Sequence, residues 1–146
     1  MKSILIVEDD PTLGRGIQEA LKRVGYFTTL SVDPESAKMM VRVQHFDLAI
    51  VDMMLPHQNG LDLVSDISKI LPSMEFILTS GVFKQNAVGA GSMQAGRILK
   101  FFPKPFDVDT LLNFLNELYG TQESLTQSPL QELIAGGPRN DDDKLR

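Results

Sequence analysis

The chain has 146 residues, enough for one domain around a single core, of which 42% are hydrophobic and 23% charged. A net charge of -5 speaks against a nucleic-acid face, which carries excess lysine and arginine, and the lack of cysteine excludes disulfides, thiolate metal sites and cysteine nucleophiles. No stretch approaches the roughly 20 apolar residues of a membrane span, and the first apolar run is too short for a secretory leader, so a cytoplasmic protein is the expectation.

Ile4-Leu5-Ile6-Val7 reads as a strand that stops at Glu8, Asp9 and Asp10. Asp10 can cap a helix with Pro11 in its first turn. Leu13, Ile17, Leu21 and Val24 then recur on one face until Gly25. Tyr26 to Leu30 predicts a second strand, poorer in apolar residues and therefore near an edge. Asp33-Pro34 opens a second helix with Ala37, Met40 and Val41 inward. Leu48 to Val51 is the third strand, ending at Asp52, and Pro56 to Gly60 is a turn cluster. A third helix carries Leu61, Val64, Ile67 and Leu71 on one face, and Pro72 stops it.

Phe76-Ile77-Leu78 predicts a fourth strand running into Thr79. A fourth helix is expected between 81 and 96, weakened by Gly89, Gly91 and Gly96 at about 1 kcal/mol for each interior glycine, which makes it the loosest element. Ile98 to Phe102 is the fifth strand, followed by Pro103 and Lys104. Asp107 caps the last helix, with Leu111, Leu115 and Leu118 inward and Gly120 closing it. Residues 1–120 thus read as one domain. Residues 121–146, with Gln, Ser, Gly, Pro and the run Asp141-Asp142-Asp143, read as a tail or linker, in which Leu130 to Ala135 could form a turn or two of helix.

Strands alternating with helices indicate a mostly parallel sheet, and such sheets place ligands at the carboxyl ends of their strands. Glu8, Asp9, Asp52, Thr79 and Lys104 all fall there. Two unit charges about 4 Å apart repel by roughly 4 kcal/mol at an effective dielectric near 20, so grouped acids destabilise the fold unless a cation offsets them. Carboxylates without histidine or thiolate suit Mg²⁺. Asp52, at a strand end among apolar neighbours, has the setting of a carboxylate nucleophile, although an acid there is also a common structural feature. Thr79 and Lys104 supply the donor and the charge that a phosphoryl group requires, with Ser80 competing for the hydroxyl role.

Asp9 in Ile-Leu-Ile-Val-Glu-Asp-Asp-Pro, Asp52 in Val-Asp-Met-Met-Leu-Pro-His-Gln-Asn-Gly, Thr79 in Leu-Thr-Ser-Gly and Lys104 in Phe-Pro-Lys-Pro-Phe together resemble the receiver domain of two-component response regulators over about residues 1–120. The resemblance implies a flavodoxin-like, doubly wound α/β fold with a five-stranded parallel sheet of order 2-1-3-4-5 and helices on both faces. It implies that Asp52 accepts a phosphoryl group. Glu8, Asp9, Asp52 and the backbone carbonyl of Met54 would hold Mg²⁺, and Lys104 would bind the phosphate. Thr79 and Phe101 would be the switch pair, and the Lys104-Pro105 bond would be cis. The implied donor is a sensor histidine kinase or a histidine phosphotransfer protein, and the recipient a downstream effector protein or output domain. The chain would be a signalling switch, not an enzyme with its own substrate turnover. The Thr79-to-Lys104 interval is a few residues longer than the family's usual one, and the small-residue pair ahead of the fifth strand is blurred.

Three other readings stand beside this one: a haloacid-dehalogenase-like hydrolase, a receiver-shaped scaffold that is never phosphorylated, and a fragment of a longer DNA-binding regulator. The hydrolase would want a second acid where Met54 stands. Dimer formation on phosphorylation is left open. Met54 and Gly81, two residues past Asp52 and Thr79, cannot position an attacking water, so slow self-dephosphorylation is expected. His45 and His57 read as loop residues, the methionines as core or loop filling, and Lys22-Arg23 as a solvated helix end.

Overall fold

The apolar runs become five strands: β1 (Ser3–Val7), β2 (Phe27–Ser31), β3 (Leu48–Asp52), β4 (Glu75–Ser80) and β5 (Arg97–Pro103). All pair in parallel, in the order β2-β1-β3-β4-β5. This computed structural model describes residues 1–81 and 97–120; the helix expected between 81 and 96 and the tail expected from 121 lie outside the described residues. Among the described residues the helices are α1 (Pro11–Arg23), α2 (Pro34–Val43), α3 (Gly60–Ile70) and α4 (Val108–Tyr119). The flavodoxin-like fold and its strand order are as expected.

The central strands are buried on both faces, which is why they read as unbroken apolar runs and not as alternating ones. One face packs Leu5, Val7, Ala49 and Val51 against Ala37 and Val41 of α2 and Leu63, Val64 and Ile67 of α3. The other packs Ile4, Ile6, Leu48 and Ile50 against Ile17 and Leu21 of α1 and Leu111 and Leu115 of α4. Each such buried valine, leucine or isoleucine contributes about 1.5–3 kcal/mol relative to exposure. β2 lies at a sheet edge, as its thinner apolar content predicts.

The expected caps are present. Asp10 accepts from the Thr12 and Leu13 amides, Asp33 from Ser36 and Asp107 from Asp109. Gly25, just past α1, and Gly120, just past α4, both hold positive φ.

Three helix stripes differ in detail. Val24 is exposed because α1 ends at Arg23 and the chain turns to enter β2. Leu118 is also exposed. Its neighbour Tyr119 packs against the core instead and donates its hydroxyl to Glu75 at 2.8 Å. In α3, Leu63 is fully buried in addition to the expected residues, and Leu71 packs against the same core from just past the helix end at Ile70. The register of β5 against β4 slips between Phe76 and Ile77, so that Leu99 is skipped. This irregularity takes up one residue of the long Thr79-to-Lys104 interval. It also resets the faces of the later β5 residues: Phe101 packs on the α2–α3 side and Phe102 on the α1–α4 side.

Candidate functional site

β1 and β3 are neighbours in the sheet, and both end in acid. Glu8 follows Val7 directly, and its amide donates to the Ser31 carbonyl at 3.0 Å, which carries the β1 ladder one step past the strand. Its carboxylate is buried, accepting from the Asp10 amide at 3.2 Å and from Lys104 Nζ at 2.7 Å. Asp52 is the last residue of β3 and is also buried. Asp9 is exposed at the rim. One carboxylate oxygen from each of Glu8, Asp9 and Asp52 lies within 4.8 Å of the others.

Asp52 is held from two sides. Its Oδ1 accepts from the Met54 amide at 3.0 Å, and its Oδ2 accepts from Lys104 Nζ at 3.1 Å. Lys104 therefore bridges the β1 and β3 acids. The Lys104 amide donates to the Ser80 carbonyl at 2.7 Å, which ties the start of the loop after β5 to β4, and the Lys104-Pro105 bond is cis. Thr79 is the register partner of Asp52, so the two side chains fall on the same side of the sheet, and Ser80 falls on the other. Phe101 is half-buried, whereas Phe102 is buried with its ring centroid 5.7 Å from Phe106 and 5.9 Å from Phe114.

Burial raises the Glu8 pKa and outweighs the lowering by the Lys104 and Asp10 hydrogen bonds, with the nearby Asp52 charge adding to the rise. For Lys104, burial alone would lower the pKa. The hydrogen bonds to Glu8 and Asp52, and their charges, turn the net shift upward. The ammonium thus stays charged and compensates two buried carboxylates. The donor set, three carboxylate oxygens without nitrogen or sulfur, fits a small hard cation.

All five strand-end residues singled out in the sequence thus come to one edge of the sheet. The Met54 side chain is exposed, and the residue contributes its backbone at this edge. His45 is exposed and pairs with Asp47 at 3.1 Å, and His57 is an exposed loop residue with a φ of 70°. Lys104 bonds directly to Glu8 across 96 residues of sequence. A strand-end acid and a loop lysine so far apart in sequence carry no local signal of pairing.

The response regulator receiver domain family model matches residues 4–116. The response regulator receiver protein CpdR of Brucella abortus is 30% identical over 118 residues, covering 81% of this chain and 97% of that protein. The DNA-binding transcriptional regulator NtrC of a Bradyrhizobium species is 28% identical over 131 residues, covering 89% of this chain but 27% of its own length. The chain therefore spans about a quarter of the NtrC regulators it matches. Among solved structures, the Thermotoga maritima response regulator TrrA in complex with Mg²⁺-BeF superposes with a TM-score of 0.69 at 26% identity, covering 81% of this chain and 99% of that one. Among the described residues no helix is long and apolar enough to cross a membrane. Family match, sheet order and strand-end chemistry agree, and the chain belongs to the receiver domains of two-component response regulators.

Proposed function

We propose that the chain is a phosphorylation-dependent switch whose phosphoryl acceptor is Asp52. The observation that carries this reading is the sharing of one buried carboxylate between a lysine at 3.1 Å and an acidic cluster within 4.8 Å. Such a site offers a nucleophile, a cation for the incoming phosphoryl group and oxygen ligands for a metal.

In this reading an Asp52 oxygen attacks the phosphorus of a phosphohistidine on a sensor kinase or phosphotransfer protein. The new P–O bond forms as the P–N bond breaks. Its electron pair returns to the ring nitrogen, and the imidazole, protonated on its other nitrogen, leaves as neutral histidine. The product on this chain is an aspartyl phosphate. The Met54 amide orients the carboxylate, and Lys104 exchanges its contact with Asp52 for one with the phosphoryl oxygens. Mg²⁺, held by Glu8, Asp9, Asp52 and the Met54 carbonyl, would neutralise phosphoryl charge. That TrrA was solved with Mg²⁺-BeF supports this choice of ion.

Thr79 and Phe101 are then the switch pair. The threonine hydroxyl would move toward the new oxygens and the half-buried Phe101 ring, one register step away on β5, would shift in response, altering the face built on β5 and α4 for a downstream effector or output domain. Residues 1–120 would be the switch and 121–146 a tail or linker, at work in the cytoplasm. A second reading, that the chain is the receiver portion of a longer DNA-binding regulator, is favoured by its covering only 27% and 23% of the two NtrC relatives. CpdR, by contrast, is matched over 97% of its own length. Phosphotransfer from a histidine kinase, or labelling by a small acyl phosphate, tests the acceptor. Asp52→Asn should abolish Mg²⁺-dependent incorporation, and undiminished labelling of that variant would exclude Asp52.

A further inference from the structure

We propose that Gly60 is a positioning residue for the phosphoryl acceptor: the first residue of α3 lies flush against the Asp52–Met53 peptide and sets where the Asp52 carboxylate and the Met54 carbonyl stand. The inference rests on the reading of Asp52 as acceptor.

Gly60 is buried, and a Cβ built on it would lie 2.6 Å from the Asp52 carbonyl oxygen, 2.7 Å from Met53 Cα and 3.1 Å from the Asp52 carbonyl carbon. All three are backbone atoms, so no rotamer change relieves the overlap. The peptide they belong to is fixed on its other sides. The Met53 amide donates to the Thr79 carbonyl at 2.8 Å, the Met53 carbonyl accepts from the Gly60 amide at 2.9 Å, and Asp52 is in register with Thr79. The φ of Gly60 is not among the positive ones, so the position demands space and not an unusual conformation.

Gly14 provides the contrast. Its Cβ would come within 2.7 Å of a Leu30 methyl, the free end of a side chain on β2. Side chains there can yield, but the backbone under Gly60 cannot. The closest Gly60 overlap falls about 0.8 Å short of ordinary contact, and a misplacement of about 1 Å at reacting groups can cost a hundredfold in rate. Mg²⁺ is similarly exacting, since it requires near-octahedral oxygens at about 2.0–2.1 Å.

The test compares Gly60→Ala with Gly14→Ala in the full chain, both in a Gly16→Ala background. Gly16 has nothing within 4 Å of a built Cβ, so that change adds helix propensity without a clash. Mg²⁺ affinity by calorimetry, the labelling rate with a small acyl phosphate, and the thermal melt are read for each. Gly60→Ala should bind Mg²⁺ at least tenfold more weakly and label ten- to a hundredfold more slowly. Gly14→Ala should lose stability yet stay within about twofold of its parent on both site readouts. A cooperatively melting Gly60→Ala with parental Mg²⁺ affinity and labelling overturns the inference, as does Gly14→Ala losing both as severely. If Gly60→Ala does not fold, Asn59→Ala, which removes the N-cap bond to the Asp62 amide and loosens the first turn of α3, decides it. A several-fold loss of Mg²⁺ affinity supports the inference, and no change overturns it. A parent that binds Mg²⁺ but is never labelled would defeat the Asp52 reading alone, leaving Gly60 to be judged on affinity.

Discussion

Lys104 Nζ and Glu8 Oε1 meet at 2.7 Å across 96 residues of sequence, and the glutamate they join is almost without water, its side chain only 3% exposed. The same ammonium reaches Asp52, so one lysine compensates the acids of two adjacent strands. Such a site suits the proposed switch, in which the lysine would pass from carboxylate to phosphoryl oxygen without leaving the edge of the sheet.

Removing the lysine should therefore strand a buried charge. Lys104→Met is expected to destabilise by about 2–3 kcal/mol, less than a fully buried pair loses because the lysine keeps 19% exposure. Glu8→Gln/Lys104→Met should recover about 1–2 kcal/mol of that loss, the coupling of residues in direct contact. Urea titrations of the four proteins measure it, and strict additivity would dismiss the pair.

The pH dependence stems from Glu8. Its folded pKa lies above the ordinary value of 4.5, so the folded state holds the proton more tightly than the unfolded chain. The stability this contributes is complete below 4.5 and is lost as pH rises through the folded value. Measured against Glu8→Gln, the native protein should thus lose stability on going up from about pH 4.5 without Mg²⁺. A difference that is flat or rises with pH would contradict the shift.

Mg²⁺ should recover what ionised acids cost. At a hundredfold excess over its dissociation constant, a ligand that binds only the folded state adds about 2.7 kcal/mol. Thermal melts with and without Mg²⁺ should separate for the native chain and converge for Asp9→Asn/Asp52→Asn. An equal rise in that double variant would place the ion elsewhere.

The phosphoryl group, once on Asp52, should be long-lived. Met54 presents an exposed thioether side chain and Gly81 has no side chain, so neither residue offers a group to orient water. A half-life of minutes or longer is expected, shortened about tenfold by Met54→Asn, which brings a side-chain hydrogen-bonding group. Decay of the labelled protein measures both, and a native half-life of seconds would refute the assignment.

What could be read along the chain was whatever the physics makes local. Ile4 to Val7 and Leu48 to Val51 announce strands buried on both faces, because two-sided burial demands unbroken apolar runs. Asp10, Asp33 and Asp107 announce helix starts because a short acidic side chain reaches the free amides one turn ahead. Strand ends converge in any parallel sheet, which is why Glu8, Asp9, Asp52, Thr79 and Lys104 could be grouped before their distances were known. The outer turns were less legible. Val24 and Leu118 fit an apolar stripe, yet they lie exposed at the helix ends, where periodicity no longer reports contact.

Contacts between distant segments were decided in three dimensions. The skip at Leu99 that sends Phe101 and Phe102 to opposite faces depends on how β5 lies on β4, and no periodicity within β5 encodes it. The Lys104–Glu8 bond depends on the lysine side chain reaching from the end of β5 across to the end of β1, and the need for a glycine at 60 depends on α3 descending onto the end of β3. Residue type and spacing express local preference and the direction of burial. Which surfaces then come within a few ångströms is set by how the elements pack, and here that packing brings five polar side chains to one edge of the sheet.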